Sequence, residues 1–192
     1  MKAIIPFKKK NAKSRLSPLL SQSERVMFAE RMLEDVVRAL KDSVVDKYEV
    51  LTEGSLNEAI NSAIRRIQEP TLVIMPDLPL IQPRHINEIV GADADVVIAP
   101  GKGGGTNALF LQEPHRFRVD FRLASFLNHL GIARDAGMSV YIYDSFFVST
   151  DMDEPEDLVE LLIHGKGTAA MYLREIGVTL EFDQGRAHVK KQ

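Results

Sequence analysis

Four consecutive apolar residues, Leu72-Val73-Ile74-Met75, run directly into Pro76-Asp77-Leu78-Pro79. An unbroken apolar run of this length fits a strand covered on both faces, as in parallel sheets flanked by helices. Such sheets bind ligands outside the carboxyl ends of their strands. Asp77 stands where that end is expected, between two prolines that resist regular structure. A single carboxylate there serves either as a ligand to a metal or phosphate-bound metal, or as the turn residue of a strand-to-helix loop. The stretch alone leaves both readings open.

The remaining chain alternates between the two periodicities. Ala3 to Phe7, Tyr48 to Thr52, Asp95 to Ala99, Ala108 to Leu111, Val140 to Tyr143 and Phe146 to Ser149 read as further strands. Helices are expected over about Gln22 to Leu40, Asn57 to Gln68, Arg84 to Val90, Ser125 to Ala136, Pro155 to His164 and Ala169 to Ile176. Ser21 and Glu24 have the capping-box spacing that starts the first of these. Val26, Ala29, Met32, Leu33, Val36, Val37 and Leu40 form its apolar face. Phe126, Leu127, Leu130 and Ala133 do so for the helix from Ser125. The tail reads as a hairpin over 178–190 around Asp183-Gln184-Gly185. This alternation implies an α/β sandwich with a mixed, mostly parallel central sheet, its antiparallel strand following the glycine turn at 101–105.

The 192 residues are expected to form one domain. A net charge of −3 gives no overall basic field to recruit nucleic acid. No apolar run approaches the roughly 18 residues that span a bilayer, and the N-terminus does not read as a secretory signal. Cysteine is absent, which excludes disulfides, thiolate zinc sites and a cysteine nucleophile, and agrees with a cytoplasmic setting.

Three loops carry charge or glycine at strand ends. Six basic residues lie among the first 16, in a chain that is net acidic. The loop after the first strand contains Lys8, Lys9, Lys10, Lys13 and Arg15. It is either a solvated basic surface or a triphosphate site, Arg offering a planar fork and Lys a point charge. Gly101-Lys102-Gly103-Gly104-Gly105-Thr106-Asn107 lacks the ending of a P-loop, which excludes that kind of ATPase. Its glycines allow backbone amides to approach a ligand, with Thr106 and Asn107 adding side-chain hydrogen bonds. Asp151 and Asp153 lie two apart in an extended stretch and can clasp one hard cation. They can equally serve the helix N-terminus that Pro155 marks, the only role expected of Glu156 and Asp157. The five histidines form no metal-ligand pair, and no nucleophile elbow surrounds Ser125, although His129 lies one helical turn away.

In order, the chain contains Ile-Pro-Phe-Lys, Asn-Ala-Lys-Ser-Arg-Leu, Pro-Asp-Leu-Pro-Leu, Gly-Gly-Thr-Asn-Ala-Leu, Ser-Phe-x-x-His and Asp-Met-Asp-Glu-Pro-Glu-Asp-Leu. This set resembles the 2-phospho-L-lactate guanylyltransferase family of coenzyme F420 biosynthesis. That family belongs to the nucleotidyltransferases of glycosyltransferase-A-like fold, with a three-layer, nucleotide-diphospho-sugar transferase-like sandwich. The resemblance implies joining GMP from GTP to 2-phospho-L-lactate, with pyrophosphate released, or use of phosphoenolpyruvate or 3-phosphoglycerate by related members. It implies Mg²⁺ or Mn²⁺ on Asp77, Asp151 and Asp153. Lys13 and Arg15, helped by Lys8, would bind the triphosphate. Gly104, Gly105, Thr106, Asn107 and Ser125 would meet the phospho-acid. A homodimer is implied as well. Two positions depart from the family pattern. Arg122 replaces a glycine and offers a partner for the substrate carboxylate, and Lys102 and Gly103 precede the Gly-Gly-Thr where an acidic residue is common. Fold analogy assigns guanine to the backbone near Thr52. Transfer to another phosphorylated acceptor and a non-catalytic nucleotide-binding module are the rival functions.

Overall fold

The computed structural model describes residues 1–9 and 12–191; Lys10 and Asn11 of the basic loop lie outside the described residues. Strands β1 (Lys2–Pro6), β2 (Lys47–Leu51), β3 (Thr71–Ile74), β4 (Val96–Pro100), β5 (Thr106–Leu111) and β6 (Val140–Ile142) form one sheet in the order β2-β1-β3-β5-β4-β6. The pairs β1/β2, β1/β3 and β4/β6 are parallel. β5 runs antiparallel to both β3 and β4, so the strand after the glycine turn is the reversed one.

Both faces of the inner strands β1, β3, β4 and β5 are dry, which is why they read as apolar runs rather than alternations. Ala3, Ile5, Leu72, Ile74, Val97 and Phe110 face one side. They pack against Val36, Ala39 and Leu40 of α1 (Gln22–Lys41) and Ile86 and Ile89 of α3 (Pro83–Gly91). Ile4, Val73, Ile98 and Leu109 face the other side. There they meet Ile60, Ala63 and Ile64 of α2 (Leu56–Ile64) and Ala133 of α4 (Ser125–Asp135). The result is a three-layer α/β sandwich with a mixed, mostly parallel sheet.

A third apolar cluster lies outside α1. Phe28 and Met32 meet Leu158 and Leu161 of α6 (Asp157–His164), Leu173 of α7 (Thr168–Glu175) and Val178. Val178 opens the hairpin of β7 (Val178–Asp183) and β8 (Arg186–Lys191). Ser21 and Glu24 form the expected capping box on α1. Glu24 also takes an ion pair from Lys191 at 2.5 Å, fastening the hairpin to the same helix end.

Three expectations are corrected. Phe146–Ser149 is a single helical turn, α5, closed by Ser149 N–H donating to the Ser145 carbonyl at 2.8 Å. Three apolar residues and a serine suit a strand or a buried helical turn equally. Here the turn inserts Val148 against the sheet, in the cluster that holds Val97 and Phe110. Leu127 faces solvent from α4, and Ser125 and His129 take the buried stripe instead, because their polar atoms have partners inside. On α1, Phe28 is buried and Val26 only partly so.

Candidate active site

The parallel strands point their carboxyl ends at one rim, and the loops leaving β1 and β3 deliver the first charged groups there. Lys13 holds a left-handed backbone conformation (φ 51°, ψ 47°) just before the short 3₁₀ turn Ser14–Leu16. That bend turns its side chain inward, where it is only 10% exposed. Its ammonium pairs with the Asp77 carboxylate and donates to Asp153 Oδ1 at 2.6 Å. Burial works against the Lys13 charge, but the Asp77 and Asp153 carboxylates outweigh it and raise its pKa above the ordinary lysine value.

Asp151 completes an acidic cluster with these two. One carboxylate oxygen from each of Asp77, Asp151 and Asp153 lies within 4.8 Å of the others. The Met152 amide donates to the Asp77 carbonyl at 3.2 Å, so the two acidic loops are tied through their backbones. Asp151 accepts from Asn107 Nδ2 at 3.3 Å. Its pKa is raised, first by burial and then by the neighbouring Asp77 charge. Among the described residues, Asp77 Oδ1 is buried and has no hydrogen-bond partner. A buried carboxylate oxygen without a donor is costly unless a cation serves it. Three hard oxygen donors converging on one point, one of them orphaned, fit a divalent ion.

Arg15 lies at the rim of this cluster, 3.6 Å from Asp153 and 67% exposed. Its fork is held by weak contacts alone and faces solvent. Lys8 lies farther out, at the mouth of a cavity of about 220 Å³ between the ends of β1 and β2. Pro6, Phe7, Leu51, Leu56 and Ala59 wall it, and Glu53 to Ser55 close one side. Thr52 borders the adjoining groove rather than this slot.

On the other side of the acidic cluster the glycine loop folds as a tight turn. Gly103 and Gly104 take positive φ, 66° and 84°, which an L side chain resists. The Gly101 amide donates to the Gly105 carbonyl at 2.9 Å, closing the loop. Thr106 and Ser125 follow, buried, with their hydroxyl oxygens 3.3 Å apart. Asn107 is turned inward: its amide donates to the Val148 carbonyl at 2.9 Å and to Asp151. Asn107 therefore clamps α5 and orients an acidic residue.

Arg122 is engaged by Asp120. Its Nε and Nη2 donate to the two carboxylate oxygens at 2.8 and 2.6 Å. This fork holds the Asp120 pKa well below the usual carboxylate range. The guanidinium is thus already paired within the chain.

Several residues of the site escape a reading by motif. Asp157 accepts from the Asp153 and Glu154 amides at 3.0 and 2.8 Å. Its other oxygen accepts from Lys102 at 2.7 Å. It therefore joins the glycine loop to the acidic loop, a second job beyond placing negative charge in the first turn of the helix. Asn57 and Asn61, one helical turn apart on α2, accept from the Phe121 and Val119 amides at 2.8 and 2.9 Å. They pin the segment that carries Asp120 and Arg122. Their i,i+4 spacing was a visible signal; their partners were not.

With this geometry in hand, residues 1–192 match the family described as Guanylyl transferase CofC like. The chain belongs to that family. This CofC-like chain is a nucleotidyltransferase. It is 48% identical to the 2-phospho-L-lactate guanylyltransferase of Methanosarcina mazei, over 97% of each chain. It is 46% identical to that of Methanococcoides burtonii, over 90% of this chain and 88% of the relative. In fold it is similar to a nucleotide-diphospho-sugar transferase structure from Desulfovibrio desulfuricans, with TM-score 0.76 at 14% identity over 91% of this chain and 94% of that one. A nucleotidyl transferase from Methanothermobacter gives TM-score 0.60 at 14% identity, over 91% and 98%.

Proposed function

We propose that this CofC-like chain transfers GMP from GTP to 2-phospho-L-lactate, giving lactyl-2-diphospho-5′-guanosine and pyrophosphate, as a step of coenzyme F420 biosynthesis. The observation that carries the reading is the convergence of Lys13, Asp77, Asp151 and Asp153 at the carboxyl rim of the sheet. The 2-phospho-L-lactate guanylyltransferase activity of relatives up to 48% identical supports the choice of substrates.

A phosphate oxygen of the acid attacks the α-phosphorus of GTP. The new P–O bond forms as the bond from that phosphorus to the bridging oxygen breaks, and the electron pair leaves with pyrophosphate. The second pKa of a phosphate monoester is about 6, so the attacking group is already largely dianionic at neutral pH. No side chain has to remove a proton. The difficulty is bringing two polyanions together, which positioning and fixed charge address. Asp77, Asp151 and Asp153 would hold a Mg²⁺ or Mn²⁺, which would supply Lewis-acid neutralisation of the phosphates. Lys13 and the exposed fork of Arg15 neutralise the triphosphate and the leaving pyrophosphate. The amides of Gly104 and Gly105 and the hydroxyl of Thr106 donate to the phospho-acid, with Ser125 lining the same pocket. The apolar slot beside Lys8 takes the purine ring. We further propose a homodimer joined through the β7–β8 hairpin, whose Phe182 is 74% exposed; size measurement by light scattering tests it, and a monomer refutes it.

The test of the reaction is pyrophosphate release across a panel of nucleoside triphosphates and phospho-acids with Mg²⁺. Release that requires GTP and 2-phospho-L-lactate together is expected. Release with another phospho-acid in preference would reassign the acceptor, and nucleotide binding without turnover would refute catalysis.

A further inference from the structure

His129 is fully buried, yet nothing in the reaction as derived uses it. Its ring sits edge-on to Phe121, with centroids 4.8 Å apart, and is tilted against Phe117. Nε2 lies 3.0 Å from the backbone nitrogen of Asp120. A backbone N–H can only donate, so Nε2 carries a lone pair. Burial holds the ring neutral, with its pKa lowered to about 4. A neutral imidazole has one proton, and with Nε2 bare that proton is on Nδ1. Nδ1 lies 2.9 Å from Thr106 Oγ1 and therefore donates to it.

The consequence falls on Thr106. Its oxygen accepts from His129 and, at 3.3 Å, from Ser125. A hydroxyl has two lone pairs and one proton. Both lone pairs are taken, so the proton of Thr106 is left to donate, and among the described residues no acceptor meets it. We propose that His129 is a positioning residue for the phospho-acid: donating from Nδ1, it commits the Thr106 hydroxyl to giving its proton to the substrate anion. The inference rests on the reading that Thr106 and Ser125 face that acid. Asp120 acts one step further back, through its amide. Asn57 and Arg122 hold Asp120 and the next residue in place, so the chain of bonds runs from α2 to the substrate pocket.

Two variants and one spectrum test it. His129→Leu removes the donor; His129→Asn keeps an N–H at about the Nδ1 position and loses the acceptor. In His129→Leu the KM for 2-phospho-L-lactate should rise about tenfold to a hundredfold, the loss expected for one hydrogen bond to a charged group. The KM for GTP should stay within about twofold, and His129→Asn should recover most of the loss. Equal rises in both KM values, or no advantage of Asn over Leu, would overturn the proposal. Thr106→Val separates the two levels. If it raises the acid KM and His129→Leu does not, this inference falls alone. If it leaves the acid KM unchanged, the reading of the acid pocket falls and takes the inference with it. Should the Leu variant fail to fold, ¹⁵N-histidine NMR of the unaltered protein still decides: an Nδ1–H ring at His129 supports the proposal, and an Nε2–H ring refutes it.

Discussion

Acid should loosen this protein through one buried ring. His129 has a pKa of about 4 in the folded chain, against an ordinary value of 6.5, because burial penalises its charged form. Between those values the unfolded chain binds a proton that the folded chain refuses. Stability from this group is therefore complete above about pH 6.5 and is lost as the pH falls towards 4. Going from about pH 7 to about pH 4.5 should remove roughly 2 kcal/mol. That loss exceeds a single ordinary hydrogen bond, worth about 1 kcal/mol net. Glu24 adds in the same direction at the low end of the interval: the Lys191 ammonium and the Ser21 cap hold its pKa at about 2, below the ordinary glutamate value, so its stabilisation begins to fade below about pH 5, equally in parent and variant. His85 is likewise pushed down by burial and adds in the same direction, so a control is needed. Urea denaturation followed by circular dichroism across the interval, for the parent and His129→Asn, isolates the term. The parent should lose roughly 2 kcal/mol more than the variant, which has no ring to charge. Parallel pH curves for the two proteins would refute the buried neutral imidazole, and with it the assignment of its proton.

Three further outcomes follow from the charged rim and its supports. Asp77→Asn should leave the melting temperature within a few degrees of the parent and cut Mg²⁺-dependent pyrophosphate release by about a hundredfold or more; near-parental turnover in the folded variant would remove Asp77 from the site. Lys13→Ala leaves Asp77 without its ion pair and Asp153 with only its Arg15 contact at 3.6 Å, so without divalent ions it should lose about 3 kcal/mol; Mg²⁺ should restore part of that in a thermal melt, and the KM for GTP should rise. Gly167→Ala would bring a Cβ to 2.4 Å from the Asp35 carboxylate, which accepts from the Thr168 and Ala169 amides at 2.7 and 2.9 Å; chemical denaturation should show a loss of about 2 kcal/mol.

What the sequence revealed followed the physics of each residue. Leu72–Met75 announced β3 because both sheet faces are dry, and Asp77 emerged where strand ends gather ligands. Lys13 and the Asp151–Asp153 pair were legible as charges; that they share one centre with Asp77 came from the ordered set of motifs and its family resemblance, since contact between remote loops leaves no local pattern. Phe146–Ser149 misled because a run of only three apolar residues carries no period. The buried stripe of α4 misled for a different reason. His129 and Ser125 look like surface residues until Thr106 and the Asp120 amide are brought beside them. Arg122 illustrates the same limit: a lone arginine near a glycine loop invites a substrate role, and its partner Asp120, two residues earlier, already occupies it.

The central claim is that a phosphate oxygen of the acid attacks the α-phosphorus of GTP at the Lys13–Asp77–Asp151–Asp153 rim. The direct measurement is a turnover with 2-phospho-L-lactate whose phosphate oxygens carry ¹⁸O, with both products weighed by mass spectrometry. The label should appear wholly in the guanosine diphosphate diester, with unlabelled pyrophosphate formed in equal amount. Label in pyrophosphate, or GMP as the nucleotide product, would contradict the account.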